Sequence, residues 1–216
     1  MKSKKIFIFG AGSSSRDILR LIQDINADQP IWEVMGYVDS DPNFHGAKID
    51  SLRVYKQDEL VESNEFFGVC GMLDPKLRKK IVSNEILSKG YQLPTLIHPT
   101  VLKSEDIIVK PGAIIFGGGH ISFNVNIDSC VHIAFNCGIG HDVKIGEFTS
   151  LMPSCTINGR SSIGSGTIIG AGVDIHQGIS VGNNAIVGIG SAITKNVDDD
   201  VSITDFPRKI IRNLKE

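Results

Sequence analysis

The sequence predicts a small α/β sheet followed by a parallel β solenoid wound in six-residue steps. Three observations predict it. Every sixth residue from Val109 to Ile193 is Ile, Leu or Val, fifteen in succession. The residue two places before most of these is small or β-branched, as at Ala113, Val125, Val131, Val143, Thr149, Thr167, Val173 and Ala185. Before residue 90, short apolar runs alternate with segments of helical periodicity. A spacing of six is neither the 3.6 of a helix nor the 2 of an ordinary strand. A fixed short period marks a solenoid, whose repeats bury their apolar sides only by stacking on each other.

In the first part, residues 5–9 read as a short buried strand ending in a glycine turn, and residues 14–25 as a helix with Ile18, Leu21, Ile22 and Ile25 on one face. Residues 33–39 form a second strand that closes on the turn-rich Asp39, Ser40, Asp41 and Pro42. Residues 57–62 read as a short helix and 66–70 as a buried strand. Asp74 is a plausible N-cap, with Pro75 at the first helical position of a helix running to about residue 88. Strands alternating with helices argue for a parallel sheet, here with too few strands for a complete dinucleotide fold. Gly90 and Pro94 end this pattern, so the chain divides into an α/β domain at 1–95 and a solenoid domain at 96–216.

In the solenoid, three hexads make an 18-residue triangular coil. Five coils at about 4.8 Å each give a prism about 24 Å tall. Positions 1 and 5 of each hexad point inward. The glycine that often follows the aliphatic (Gly140, Gly146, Gly164, Gly170, Gly182, Gly188) suits a sharp corner.

The chain has 216 residues and a formal charge of −2, with both signs interspersed. No basic stripe points to a nucleic acid or an anionic membrane. The basic start resembles that of a signal peptide, but its apolar run is only four residues long before Gly10. No stretch approaches the roughly 20 apolar residues of a membrane span. Cys70, Cys130, Cys137 and Cys155 form no CxxC pair, which fits a reducing cytoplasm. Cys137 and Cys155 lie 18 apart at the same inward position, so they should stack as small core residues.

His141 follows Ile139 by two and therefore points outward. A lone outward histidine is ordinarily an idle surface residue. Phe123 one coil earlier, with Phe135 and Phe148 also outward in this frame, makes the surroundings apolar and suggests a partner subunit on this wall. In a cleft between two walls the imidazole would be partly desolvated and able to accept a proton, with Asp142 to orient it. Successive residues of a strand diverge, so that contact needs help from the local turn. His120 and His132 are outward in other columns, His176 is at a corner and His45 in a loop. No spacing suggests the three convergent ligands of a metal site. No Ser-His-Asp or reactive-cysteine arrangement is assignable.

The turn Gly10, Ala11, Gly12, Ser13, Ser14 follows a strand and opens a helix, where amides and a helix N-terminus suit a phosphate. Ser15 replaces the third glycine of GxGxxG, so the dinucleotide fingerprint is weak. Asp39 ends the second strand, placed to bond a ribose or a base edge. A tight turn with a helix cap explains each feature alone; together they favour a nucleotide.

These residues together resemble the sugar O-acyltransferase family of the sialic acid O-acetyltransferase type. That family includes bacterial N-acetyltransferases acting on nucleotide-linked 4-amino-sugars of the bacillosamine and perosamine kind. The likeness runs from residues 9–13 and 36–41 through Ile97, His98 and Pro99, then residues 139–146 and 187–197. It implies a left-handed β-helix, with His141 as general base assisted by Asp142. It implies that Gly10, Gly12, Ser13, Ser14, Asp39 and Ser40 hold the nucleotide sugar. Acetyl-CoA would lie along a neighbouring prism of a homotrimer, near Gly159, with its phosphates toward Lys195 and Arg208. Two departures stand out: members often carry a histidine where this chain has Ser14, and the usual Gly-x-Pro-Ala-Lys near the end is replaced by residues 205–209.

The expected activity is acetyl transfer from acetyl-CoA to the amine of a nucleotide-linked amino-sugar, by direct attack on the thioester. O-acetylation of a sugar hydroxyl would use the same base and is the alternative. A non-catalytic scaffold would have no use for a phosphate turn, and an ice-binding surface would need a flat threonine array. A nicotinamide oxidoreductase is opposed by the missing third glycine and the short sheet.

Overall fold

In strand β1 (Lys4–Phe9), Ile6 and Ile8 are buried in one apolar cluster and Phe7 and Phe9 in another. A strand buried on both faces is central to a parallel sheet. The computed structural model, which describes residues 3–204, places it so. Helix α1 (Ser13–Asp28) lays Ile18, Leu21 and Ile22 on the Ile6/Ile8 side. Strand β2 (Trp32–Val38) and strand β5 (Phe66–Cys70) flank β1 in parallel.

Two strands were not anticipated: β3 (Lys48–Ile49) and β4 (Leu52–Tyr55), a hairpin extending the sheet to the order β3-β4-β2-β1-β5. Its two turn residues, Asp50 and Ser51, both have left-handed φ (48° and 68°), the conformation of a two-residue hairpin. Arg16 of α1 clasps the Asp50 carboxylate with two bonds of 2.8 Å. The hydroxyl of Tyr37 donates to the same group at 3.2 Å. Burial, and then this bond, push the Tyr37 phenol up to about 12. The expected short helix at 57–62 is one 3-10 turn, Gln57–Glu59.

Helix α2 (Pro75–Ile81) starts as expected, Asp74 accepting from the Leu77 amide at 2.7 Å. It then widens into a π turn over Val82–Ile86 and tightens over Leu87–Lys89. The widened turn seats Val82 and Ile86 on the sheet, where a Cβ on Gly68 would fall 2.6 Å from Ile86.

From Leu96 the chain forms two-residue parallel strands on three faces of six, five and seven strands. Pairing is at 18 residues, as in Ile139 with Ile157, and the sixth-residue aliphatics fill one continuous core. The prism has six coils rather than five. The first coil starts at Leu96–Ile97, and exposed Lys103 occupies its next aliphatic place, which hid it from the series. The last coil is two residues short, Val181 bridging to Val197 instead of to residue 199. The post-aliphatic glycines do not turn the corners. Left-handed φ falls two residues later, at Asn124, Asn136, Asp142 and Asn184 among others. Gly140 and Gly146 stay small because a Cβ on either would meet the next coil's backbone at 2.6 Å. All four cysteines are free and buried, Cys137 and Cys155 within the β-helix core.

Arg78 of α2 joins the two parts. It is 2 % exposed and donates to the carbonyls of Met72, Leu73, Cys130, Phe148 and Thr149 and to Ser150 Oγ, at 2.6–3.1 Å. Burial lowers its guanidinium to about 10. Phe148, outward in the repeat frame, is only 9 % exposed because it packs in a cluster that includes Val82 and Tyr91 of the α/β part.

Candidate active site

His141 sits at a corner of the prism, and three neighbours fix its ring. Phe123, one coil below, stacks on it with centroids 5.2 Å apart and planes 10° from parallel. Gly159, one coil above, lies so close that a Cβ there would fall 2.6 Å from Nε2. Asp142 adopts φ 59°. That left-handed step turns its side chain back beside its predecessor, which an extended strand would not allow. Its Oδ2 lies 2.7 Å from His141 Nδ1. Its Oδ1 accepts from Asn124 Nδ2 at 2.5 Å. These bonds, His141's first and Asn124's second, hold the Asp142 carboxyl below the usual carboxylate range. With Nδ1 facing a carboxylate, the neutral ring carries its proton there and leaves a lone pair on Nε2. Nε2 has no hydrogen-bond partner among the described residues. A half-buried imidazole so arranged can take a proton from an incoming nucleophile. Phe123 is 52 % exposed beside it. Lys195 is exposed at the same corner, three coils above. Arg208 lies outside the described residues.

In the glycine turn, Gly10 has φ +100° and Gly12 caps α1 without a side-chain bond. Both oxygens of Asp39 are engaged by backbone, Oδ2 by the Ala11 amide at 2.7 Å and Oδ1 by the Asp41 amide at 2.8 Å. Asp39 thus fastens the two loops to each other, and Ser40 lies exposed between its partners. Ser15, in place of the third glycine, is fully buried, and the room it needs comes from across the sheet, where any Cβ on Gly71 would collide with it.

Ser13 is exposed at the start of α1, whereas Ser14 opens onto a cavity of about 320 Å³ between α1 and the β-helix. Helix α1 lines it with Ser14, Asp17, Arg20 and Asp24, and the β-helix with Phe116, His132, Phe135 and Met152. His98 Nε2 lies 3.2 Å from Asp24 Oδ2 across the junction. No period in the sequence signals this cavity, because one wall comes from each part. His132, expected to point outward, is 3 % exposed here, covered by the α/β part, and its buried Nδ1 has no partner. Burial, with the charge of Arg78 second, lowers the imidazole to about 3.

His132 therefore stays neutral in the folded chain but titrates near 6.5 when unfolded. Its contribution is complete above about 6.5 and is lost as pH falls toward about 3. Thermal melts between pH 7 and 4 should show a steeper loss of Tm for wild type than for His132→Phe. Parallel slopes would disprove the assignment.

Among the described residues no group of three His, Cys, Asp or Glu side chains converges to hold a metal, and no helix is long and apolar enough to cross a membrane.

Residues 5–84 match the family model of the PglD N-terminal domain. Over 155 residues the chain is 27 % identical to a GDP-perosamine N-acetyltransferase of Escherichia coli O157:H7, covering 70 % of this chain and 69 % of that protein. The fold matches the acetyltransferase domain of PglB from Neisseria gonorrhoeae, solved with acetyl coenzyme A. That match has a TM-score of 0.82 at 21 % identity and covers 94 % of this chain and 97 % of the other. It equally matches a histidine-to-asparagine variant of perosamine N-acetyltransferase from Caulobacter crescentus, solved with CoA and GDP-perosamine. There the TM-score is 0.82 at 21 % identity, with 97 % of each chain covered. These likenesses give the fold as a small α/β domain followed by a left-handed parallel β-helix.

Proposed function

We propose that the protein transfers the acetyl group of acetyl-CoA to the amine of a nucleotide-linked amino-sugar, with His141 as general base. The observation that carries this reading is the clamped His141 ring, bonded at Nδ1 and open at Nε2. The acceptor binds as the free amine, since an ammonium has no lone pair. Its nitrogen attacks the thioester carbonyl while Nε2 takes the amine proton. Backbone N–H groups stabilise the oxyanion. The C–S bond then breaks, the amide forms, and the proton goes on to the departing CoA thiolate. No acyl-enzyme is required.

The glycine turn (Gly10, Gly12, Ser13, Ser14) holds the diphosphate at the start of α1, and Asp39 acts by fastening that turn, with Ser40 beside it. The cavity beyond Ser14 receives the sugar, for its aromatic walls and its aspartates suit a ring rich in hydroxyls. Within one chain the cavity and His141 lie at different corners of the prism. The site is accordingly completed between protomers of a homotrimer, with acetyl-CoA between prisms, its thioester near Gly159 and its phosphates toward Lys195 and Arg208. The reduced cysteines and the acetyl-CoA requirement suit a cytoplasmic enzyme.

Thermal shift with acetyl-CoA, UDP, GDP, dTDP and NAD tests the reading. A ligand at 100 times its Kd stabilises by about 2.7 kcal/mol, which raises Tm by about 5–11 °C for a chain of this size. Acetyl-CoA and one nucleoside diphosphate should each do so. A response to NAD alone would overturn the proposal.

A further inference from the structure

We propose that Asn124 is a positioning residue for the reaction, holding Asp142 so that Asp142 fixes the His141 ring. The inference rests on His141 as the base but is read by a different measurement. Asp142 is half-exposed, and a carboxylate in that position ordinarily samples several rotamers. Here each oxygen has its own donor, His141 at 2.7 Å and Asn124 at 2.5 Å, so the carboxylate plane is pinned. Asn124 is itself anchored. It occupies the same corner one coil below, its φ of 54° is one that asparagine tolerates, and its amide donates to Asp106 Oδ2 at 3.2 Å. Its sequence neighbour Phe123 stacks on the imidazole. Residues 123 and 124 thus hold the two halves of the pair from below.

Asn–Asp rungs also occur where no histidine follows, as from Asn184 to Asp200 at 3.1 Å. Such a rung only ties coil to coil. What distinguishes Asn124 is that its acceptor's other oxygen fixes the tautomer of the ring. Asp142 shares one groove with three other charged groups, Asp106, Lys144 and Arg160. An aspartate at 124 would put a third carboxylate among them and remove the donor.

Side-chain ¹⁵N NMR of the full chain separates positioning from coil-tying, with the His141 signal assigned by its loss in His141→Ala. Wild type should show one neutral tautomer, protonated at Nδ1. Asn124→Gly, which accepts the same φ, should show exchange between both tautomers. Asn124→Asp, which keeps the shape but removes the donor, should do the same. An unchanged tautomer in either folded variant, even with lowered Tm, would show a coil-tying role and overturn the inference. The measurement needs no acceptor, so it stands or falls separately from the transfer reaction, which His141→Ala tests.

Discussion

His141→Ala is expected to lower acetyl transfer by about 10²–10⁴-fold, the usual worth of a positioned general base, while acetyl-CoA still binds. The rate should fall because Nε2 is the atom placed to remove the amine proton, and Arg160, the basic side chain one coil above at this corner, stays protonated and cannot replace it. Lys195, at that corner, is three coils away, about 14 Å at the usual strand spacing. Binding should persist because the CoA contacts proposed here, at Gly159, Lys195 and Arg208, do not involve the imidazole. The fold should persist too, since the ring is half exposed and makes no core contact. The decisive comparison is turnover against the acetyl-CoA thermal shift in the same variant. Turnover within tenfold of wild type would remove His141 from the chemistry; loss of both turnover and binding would make it a binding residue.

The prism was legible because each hexad announces its inward residue locally, and stacking only repeats that local choice. Where local chemistry changed, legibility stopped. Lys103 and the two-residue deletion before Val197 concealed the first and last coils. The glycines after each aliphatic were misread because a residue kept small for close backbone approach looks, in sequence, like one needed for a turn. His132 and Phe148 show a different limit. They do point out of the prism, but the α/β part lies over that face, and no solenoid period encodes what covers it. At the site, His141 and its apolar neighbour Phe123 could be read from the frame. Its contact with Asp142 depends on one backbone angle, and Asn124 carries no signal of its own because asparagine is also the commonplace residue of such corners.

Arg78→Met should destabilise the folded chain by about 3–5 kcal/mol, the range seen when a partner is removed from a buried polar network. The side chain is nearly inaccessible and forms no ion pair among the described residues; five carbonyls and a hydroxyl hold its charge. Methionine restores much of the volume but none of the donors, so the cost comes from carbonyl oxygens left buried without partners. Those oxygens lie on both sides of the junction, Met72 and Leu73 on the α/β part and Cys130, Phe148 and Thr149 on the β-helix. Removing the fork therefore loosens the docking of the two parts as well as the total stability. For a chain of this length the loss corresponds to a fall in Tm of about 6–20 °C. Arg78→Lys should recover little, since one ammonium cannot reproduce three nitrogens fixed in a plane. The β-helix, stacked through its own aliphatic core, should melt later than the α/β part in the variant, splitting a single transition into two. A variant with one transition and a Tm within 2 °C of wild type would mean that the carbonyls find water or each other, and that the junction is held by its apolar contacts alone.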